Sequence, residues 1–461
     1  MVKSSRYLVV SALALALSAC ASMAPPRAEL PSAAVESIIP SAFPAVPGDR
    51  AVIGVAADLP WASYYADPAL RGLIERALVN NRDLRMAVIN VERARGTARI
   101  ARSPLLPSAG VGVQGSIGSG PDSYQSGVNA SYEFDLFGKL RNQSAAAQNA
   151  LLSQEQNART AQQALVSQIA QLYLTALADR AQAKLASSTL KNNQEVLDLV
   201  DKRHTVGVAN GLELAQARSQ VEAARTALAQ YQGQIEQDRN LMTLLVGEPV
   251  PDTVYARSWD SNLVVVPPLP ANVPSEVLLR RPDIMAAEYS LRAANANVAA
   301  ARAAFFPSIS LTGSGGVGGT SLSDLFSGDF LWNFVPKVTL PIFTGGALQG
   351  QYAVAKADQD LALASYEKTI QSGFREVADG LALVRTQQDQ LTAQTNLVRA
   401  ASRANELVRV RYRYGYDSYL NLLDSQRSLY QAQSALINTQ LMAQINRVKL
   451  YQALGGGAPN N

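Results

Sequence analysis

One cysteine, Cys20, and one histidine, His204, are the only members of their kinds in 461 residues. With no second thiol or imidazole, a zinc centre, an internal disulfide and a serine-histidine catalytic pair all lack parts. Charge is scarce as well: 17% of residues are ionisable by the Asp, Glu, Lys, Arg count, and 41 basic against 37 acidic residues leave a net +4 without any basic tract. That balance excludes a nucleic-acid partner. Aromatics make up only 7%, yet 48% of the chain is hydrophobic, which suits an ordered protein rather than a disordered one. Long apolar runs are absent. The longest, Leu8 to Cys20, falls short of the ~20 residues a membrane helix needs, so any crossing of a bilayer must be made by a β-barrel.

That first run reads as a signal peptide over residues 1–19, with Lys3 and Arg6 ahead of the apolar stretch. Its end, Leu17-Ser18-Ala19-Cys20, resembles a bacterial lipobox, which implies cleavage before Cys20 and covalent lipid on that residue. Ala21 and Ser22 follow where an aspartate would signal inner-membrane retention, so the resemblance points to the outer membrane. Residues 20–60 carry Pro25, Pro26, Pro31, Pro40, Pro44, Pro47 and Pro60 with little periodicity, the pattern of an extended tether along the body.

The rest of the chain is written twice. Asn81-Arg82-Asp83-Leu84 matches Arg281-Pro282-Asp283-Ile284, Ala101 matches Ala301, and Pro107-Ser108 matches Pro307-Ser308 at one constant offset. With a small drift, Phe137-Gly138 meets Phe343 and the glycines after it, Gly207 meets Gly415 and Gly247 meets Gly455. Such a register marks a structural repeat, which we place at 61–257 and 258–455, with a tail at 456–461. In each copy a helical run, about 68–103 and about 275–305, stops before Pro107 or Pro307, the transition from helix to strand.

Two strand-like runs follow in each copy, separated by turn-rich loops at residues 118–122 and 318–329. Val128, Ala130, Tyr132, Phe134 and Leu136 alternate with Asn129, Ser131, Glu133 and Asp135, so one face is apolar and the other polar. Lipid outside and water inside produce this pattern; a half-buried hairpin in a soluble sandwich is the competing reading. The glycines between Gly313 and Gly319 lack the Gly-Lys-Ser/Thr of a phosphate loop, and strand placement accounts for them. From Lys139 to Val206 there is neither glycine nor proline, enough for a helix of about 100 Å. The chain turns at Gly207 to Gly211 and returns with Leu214, Ala217, Val221, Ala224, Leu228, Tyr231, Ile235, Asp238, Met242 and Leu245 in 3-4 spacing, a left-handed coiled-coil seam. The second copy repeats the seam from Leu422 to Ala453; Asp238 and Asn446 are its polar members, expected where the seam borders water.

Four strands cannot close a barrel, and an open sheet edge is not viable in lipid, where each unpaired backbone group costs several kcal/mol. About eight strands enclose an interior filled by side chains, so three chains supplying twelve form the smallest assembly with a channel. The fold expected is mainly helical with membrane β-structure.

Several stretches carry a family resemblance: LLRRPDI at Leu278 to Ile284, ARAAFFPSISL at Ala301 to Leu311, DLFGKLR at Asp135 to Arg141, FREVADGLA at Phe374 to Ala382, and RYRYGYDSYLNLLDSQR at Arg411 to Arg427. Together they resemble the outer-membrane efflux lipoproteins of the TolC superfamily, the NodT/OprM type, from about Trp61 to Gly455. The resemblance implies a homotrimeric exit duct of a tripartite pump, joined to a periplasmic adaptor and an inner-membrane transporter, of the RND type. It implies no enzymatic activity and no cofactor beyond the lipid on Cys20. It also implies a periplasmic gate at Leu420, Asp424, Arg427 and Tyr412, with Asp417 at the turn, and adaptor docking at the hairpin turns Gly207, Gly211 and Gly415. Physically, three carboxylates on one axis favour cations, and three leucines can dewet a neck. The first copy has Gln216 where the second has Asp424, so the two hairpins differ at this level. Tyr416 and Ala347 depart from the family pattern. A polypeptide-exporting duct and a non-conducting lipid-anchored spacer are the alternatives; the spacer leaves the two alternating hairpins unexplained.

Overall fold

The computed structural model describes Phe43 and residues 59–259, 275–327 and 329–457; Cys20, the signal peptide and nearly all of the tether lie outside them. The elements are α1 (Pro68–Asn80), α2 (Arg82–Arg102), β1 (Ser108–Ser116), β2 (Ser123–Phe134), α3 (Lys139–Thr205), α4 (Gly211–Val246), α5 (Pro282–Ala303), β3 (Ser308–Gly319), α6 (Asp324–Ser327), β4 (Asp329–Thr339), α7 (Ala347–Arg413) and α8 (Tyr419–Ala453). Helices α3 and α7 are each 67 residues long, so the two copies match in length as well as in order. Contacts divide the chain into two units, each drawing segments from both copies: one holds residues 88–157 and 283–369, the other 39–87, 158–282 and 370–461.

The first unit is organised by a single antiparallel sheet of order β1-β2-β3-β4. Directly paired residues share a face. The register Val111↔Val128, Val128↔Gly315 and Gly315↔Trp332 therefore puts Val111, Val113, Val128, Tyr132, Phe330, Trp332 and Phe334 on one side. Gln114, Gln125, Asn129, Glu133, Ser314 and Lys337 lie on the other. Trp332 is 71% exposed and Phe330 70%, so the β4 part of the apolar side stays open among the described residues. The glycines of β3 are sheltered there by rings: a Cβ on Gly313 or Gly315 would sit 3.4 or 3.3 Å from Phe334 or Phe330. Among the described residues, β1 and β4 each leave one edge without a partner strand.

Pro107 and Pro307 each occupy the residue before a strand, after a short 3-10 turn at Ser103–Leu105 in the first copy and a turn past Ala303 in the second. The DLFGKLR stretch makes the opposite transition. Asp135 accepts from the backbone N–H groups of Leu140 and Arg141 at 3.0 and 2.8 Å and from Arg141 Nε at 3.1 Å, supplying the first turn of α3 with acceptors. Phe137 stacks on Phe306 at 4.9 Å, tying this entry to the corresponding junction of the second copy.

In the second unit the helical run expected at 68–103 is interrupted. Asn81 leaves the helix with ψ 131°, its Oδ1 accepts from Leu84 N at 2.8 Å to start α2, and its Nδ2 donates to Leu245 O at 2.8 Å. The second copy breaks at the equivalent place, between a 3-10 turn at Ser275–Arg280 and α5, where Pro282 disfavours helical backbone at Arg281. Arg281, only 8% exposed, donates to Ala453 O at 3.0 Å and to Glu376 at 2.8 Å. An asparagine and an arginine thus do the same work, each pinning a helix break to the last turn of the returning helix. Nearby, Tyr64 stacks on Tyr451 at 3.9 Å, and Asp67 accepts from Tyr173 and Arg257. Phe43, which the structure describes within the tether together with Leu59 and Pro60, stacks on Phe374 at 4.8 Å. At the other end of the chain, Gly456 O accepts from Gln163 at 2.6 Å, so the tail begins packed.

The polar seam members are not where water was expected. Asn446 is 4% exposed, and its Nδ2 donates to Gly380 O at 3.0 Å. A small glycine lets α7 approach closely enough for an amide to replace hydration. Asp238 is half-buried against Asp179, and its carboxyl is pushed up to about 6, first by burial and then by the Asp179 charge, with Arg180 opposing. The folded protein therefore holds this proton to higher pH than the unfolded chain, and stability falls as pH rises from about 4 to about 6. Asp238→Asn should stabilise the protein at about pH 7.5 by roughly 1–2 kcal/mol after discounting for a half-exposed site, and the gain should vanish near pH 4. Thermal unfolding at the two pH values checks both the size and the disappearance.

Candidate functional site

The two helical hairpins end in closely matching turns. In the first, Gly207 N donates to His204 O at 2.9 Å and Val208 N to Arg203 O at 2.8 Å; in the second, Gly415 N donates to Tyr412 O at 3.0 Å and Tyr416 N to Arg411 O at 2.9 Å. Gly207 and Gly415 have φ of 79° and 82°, the left-handed conformation that ends a helix this way at no steric cost to glycine. Gly211 has no such role: it is the first residue of α4, whose N–H groups are capped by Asn210 accepting from Glu213 N at 2.9 Å. Ser418 caps α8 by the same logic. The turns differ in what they show to solvent. Val206, Val208 and Leu212 are exposed on the first, Tyr414 and Tyr416 on the second.

Between the hairpins lies a core of Val200, Ala217, Tyr412, Tyr419, Leu422 and Leu423. Tyr412 is 4% exposed, with the Arg203 guanidinium 4.9 Å over its ring, and burial raises its phenol above the ordinary range. Burial likewise pushes Tyr419 up to about 12. Both tyrosines therefore stay neutral and act as packing groups.

Leu420, Asp424 and Arg427 lie on the opposite face of α8. Their spacing of four and three residues aligns them in one stripe, and all three are exposed, Leu420 at 54%. No hydrogen bond or ion pair of Asp424 within the chain occurs among the described residues. Arg427 Nε donates to Gln220 Oε1 of the first hairpin at 3.2 Å. The structure thus groups Leu420, Asp424 and Arg427 but separates Tyr412 from them, in the core. Asp417 is elsewhere again. It accepts from Arg411 Nε at 2.7 Å and from Asn421, and the guanidinium holds its carboxyl below the usual carboxylate range. Sequence reasoning missed Gln220, which meets Arg427 across 207 positions, and Arg203, which the drifted offset that pairs Gly207 with Gly415 sets against Arg411. No group of His, Cys, Asp or Glu suited to a metal ion occurs among the described residues.

An exposed polar stripe on a hairpin and a two-faced sheet open at both edges are parts of a conduit rather than of a catalytic pocket. The family model for "Outer membrane efflux protein" matches the chain twice, at residues 73–248 and 273–456. The chain belongs to the outer membrane efflux protein family. Among relatives, a toluene efflux pump outer membrane protein, TtgC, from Pseudomonas putida is 43% identical over 416 residues, covering 87% of this chain and 86% of its own. The cation efflux system protein CusC of Escherichia coli is 39% identical over 410 residues, covering 86% and 88%. Among solved structures, the open state of the MtrE outer membrane channel of Neisseria gonorrhoeae superposes with a TM-score of 0.82 at 37% identity, over 94% of this chain and 98% of that one. This outer membrane efflux protein is accordingly a channel of the outer membrane with a TolC-like fold extending into the periplasm. Its family transports rather than catalyses.

Proposed function

We propose that three copies of this chain form one duct, through which small molecules handed over by an inner-membrane transporter and a periplasmic adaptor leave the cell. The observation that carries the reading is the sheet: four strands, apolar on one face and polar on the other, with both edges unpartnered among the described residues. Edge-to-edge joining of β4 of one copy to β1 of the next satisfies the backbone groups that lipid would leave bare, and closure after three copies gives twelve strands around a polar lumen. The stripe of Leu420, Asp424 and Arg427 then faces its counterparts as the closed periplasmic neck, and the exposed tips near Gly207 and Gly415 receive the adaptor. The transporter is of the RND type. Lipid on Cys20 holds the chain at the membrane and brings no cofactor chemistry.

Cargo is chosen upstream of this duct. Relatives at 43% and 39% identity carry names for toluene and for cations, so similar chains serve unlike substrates. The mass of the detergent-solubilised particle tests the assembly: a value for three chains is expected, and a monomer or dimer would overturn it. In a planar bilayer the same particle should conduct, whereas a non-conducting spacer would stay silent at every voltage.

A further inference from the structure

The connection between β3 and β4 does not simply cap the end of the sheet. Ser126 shares the apolar face with Val113 and Val317, and its Oγ donates to Leu325 O at 2.9 Å. A Cβ on Gly319, directed to that same face, would overlap the Asp324 carboxylate. Both contacts fold the short helix α6 back over the outer side of β2 and β3, three residues inside the start of β2 at Ser123.

The fold-back keeps its own polar groups occupied. Asp324, Leu325 and Phe326 donate their backbone N–H groups to Ser321, Leu322 and Ser323, and Asp324 accepts from Ser321 N at 2.8 Å. Leu322 and Phe326 are left 65% and 91% exposed. A loop meant for water has no need of that arrangement, since water would satisfy its backbone and two large apolar groups would cost free energy there. An interface poor in water requires it.

We propose that α6 and its flanks form a collar seated in the acyl-chain boundary of the outer leaflet, with Leu322 and Phe326 inserted beside the lipid-facing row of Phe330, Trp332 and Phe334. The inference rests on the membrane placement of the sheet proposed above. Continuity favours lipid as the occupant, because α6 packs on that apolar face through Ser126 and Gly319 while Leu322 and Phe326 stay exposed. A second copy is a poor fit: copies meet at β1 and β4, whereas the fold-back covers the inner strands β2 and β3. The collar leaves the polar face, and with it the mouth of the lumen, unobstructed.

The test places a nitroxide on Phe326→Cys in the full-length protein, reconstituted in vesicles of phosphatidylethanolamine and phosphatidylglycerol. Collisions with molecular oxygen are compared with collisions with an aqueous nickel chelate. Trp332→Cys serves as the lipid reference and Asn333→Cys as the lumen reference, and the protein with Cys20 alone gives the background. Phe326 is exposed, so its replacement leaves folding intact. The expected result is an oxygen-to-chelate ratio at position 326 matching that at 332 and several-fold above that at 333. A ratio like that at 333 overturns the collar, as does an immobilised label reached by neither reagent, which would mean contact with protein. An aqueous ratio at 332 would instead overturn the membrane placement of the sheet, and the collar with it.

Discussion

Gly316→Val should abolish the assembled channel, while Gly112→Val, on the same polar face and in the same transverse row, should leave assembly untouched. The register aligns Gly112 with Gly127 and Gly127 with Gly316, so three strands cross at bare backbone. A Cβ at Gly316 would overlap the carbonyl oxygen of Ser126 and lie 2.5 Å from Gly127 Cα, and one at Gly127 would lie 2.6 Å from Gly315 O. These neighbours are backbone, so relief requires β2 and β3 to separate and surrender ladder hydrogen bonds. At Gly112 nothing lies within 4 Å. Overpacking costs about 1–3 kcal/mol per site, and three copies in the proposed closed wall compound it to several kcal/mol, enough to reduce assembled particles by two or more powers of ten. Native mass after reconstitution of the two variants reads the contrast. Equal assembly of both would show that these strands have room to part.

Much of the architecture is legible in the amino-acid order because it follows from local rules. Period-two alternation around Val128 to Phe134 defines which side of β2 is apolar, and the absence of glycine and proline from Lys139 to Val206 defines a rod, whatever the rest of the chain does. The turns at Gly207 and Gly415 are legible for the same reason: a left-handed helix end selects glycine by itself. Where long-range partners decide, the sequence is silent. Asn81 breaks a helix because a carbonyl 164 positions away accepts its amide, and Asn446 is buried because Gly380 on another helix offers an acceptor. The motif around Tyr412 and Asp424 belongs to both categories. Its residues are close in the chain, but they lie on two helices either side of the turn at Gly415, Tyr412 on the core face of α7 and Asp424 on the solvent face of α8, a difference that the motif conceals. Repetition conceals another feature: each contact unit interleaves the two copies, so no cut between them yields an independent half.

The stripe on α8 leads to the second large effect. Asp424→Ala combined with Arg427→Ala should raise the resting conductance of the reconstituted channel, because both changes strip the exposed stripe of the charges that the proposed closed neck brings together. Within one chain the Arg427 to Gln220 bond is exposed and worth little by itself. Around the proposed threefold axis, each exposed pair contributing up to about 1 kcal/mol sums to a shift of up to about a hundredfold in the ratio of closed to open necks. Leu420→Ala should add to the leak by a different route, since the smaller side chain lets the neck stay wet. Tyr412→Ala supplies the contrast. Emptying a site that is 4% exposed costs about 3–5 kcal/mol and should lower the unfolding temperature, whereas Tyr412→Phe should affect neither folding nor leak appreciably. Leak current and thermal unfolding measured on the same four variants separate the two groups: leak without destabilisation for Asp424, Arg427 and Leu420, destabilisation first for Tyr412. A double variant whose leak equals that of the parent protein would remove the gate from this face of α8.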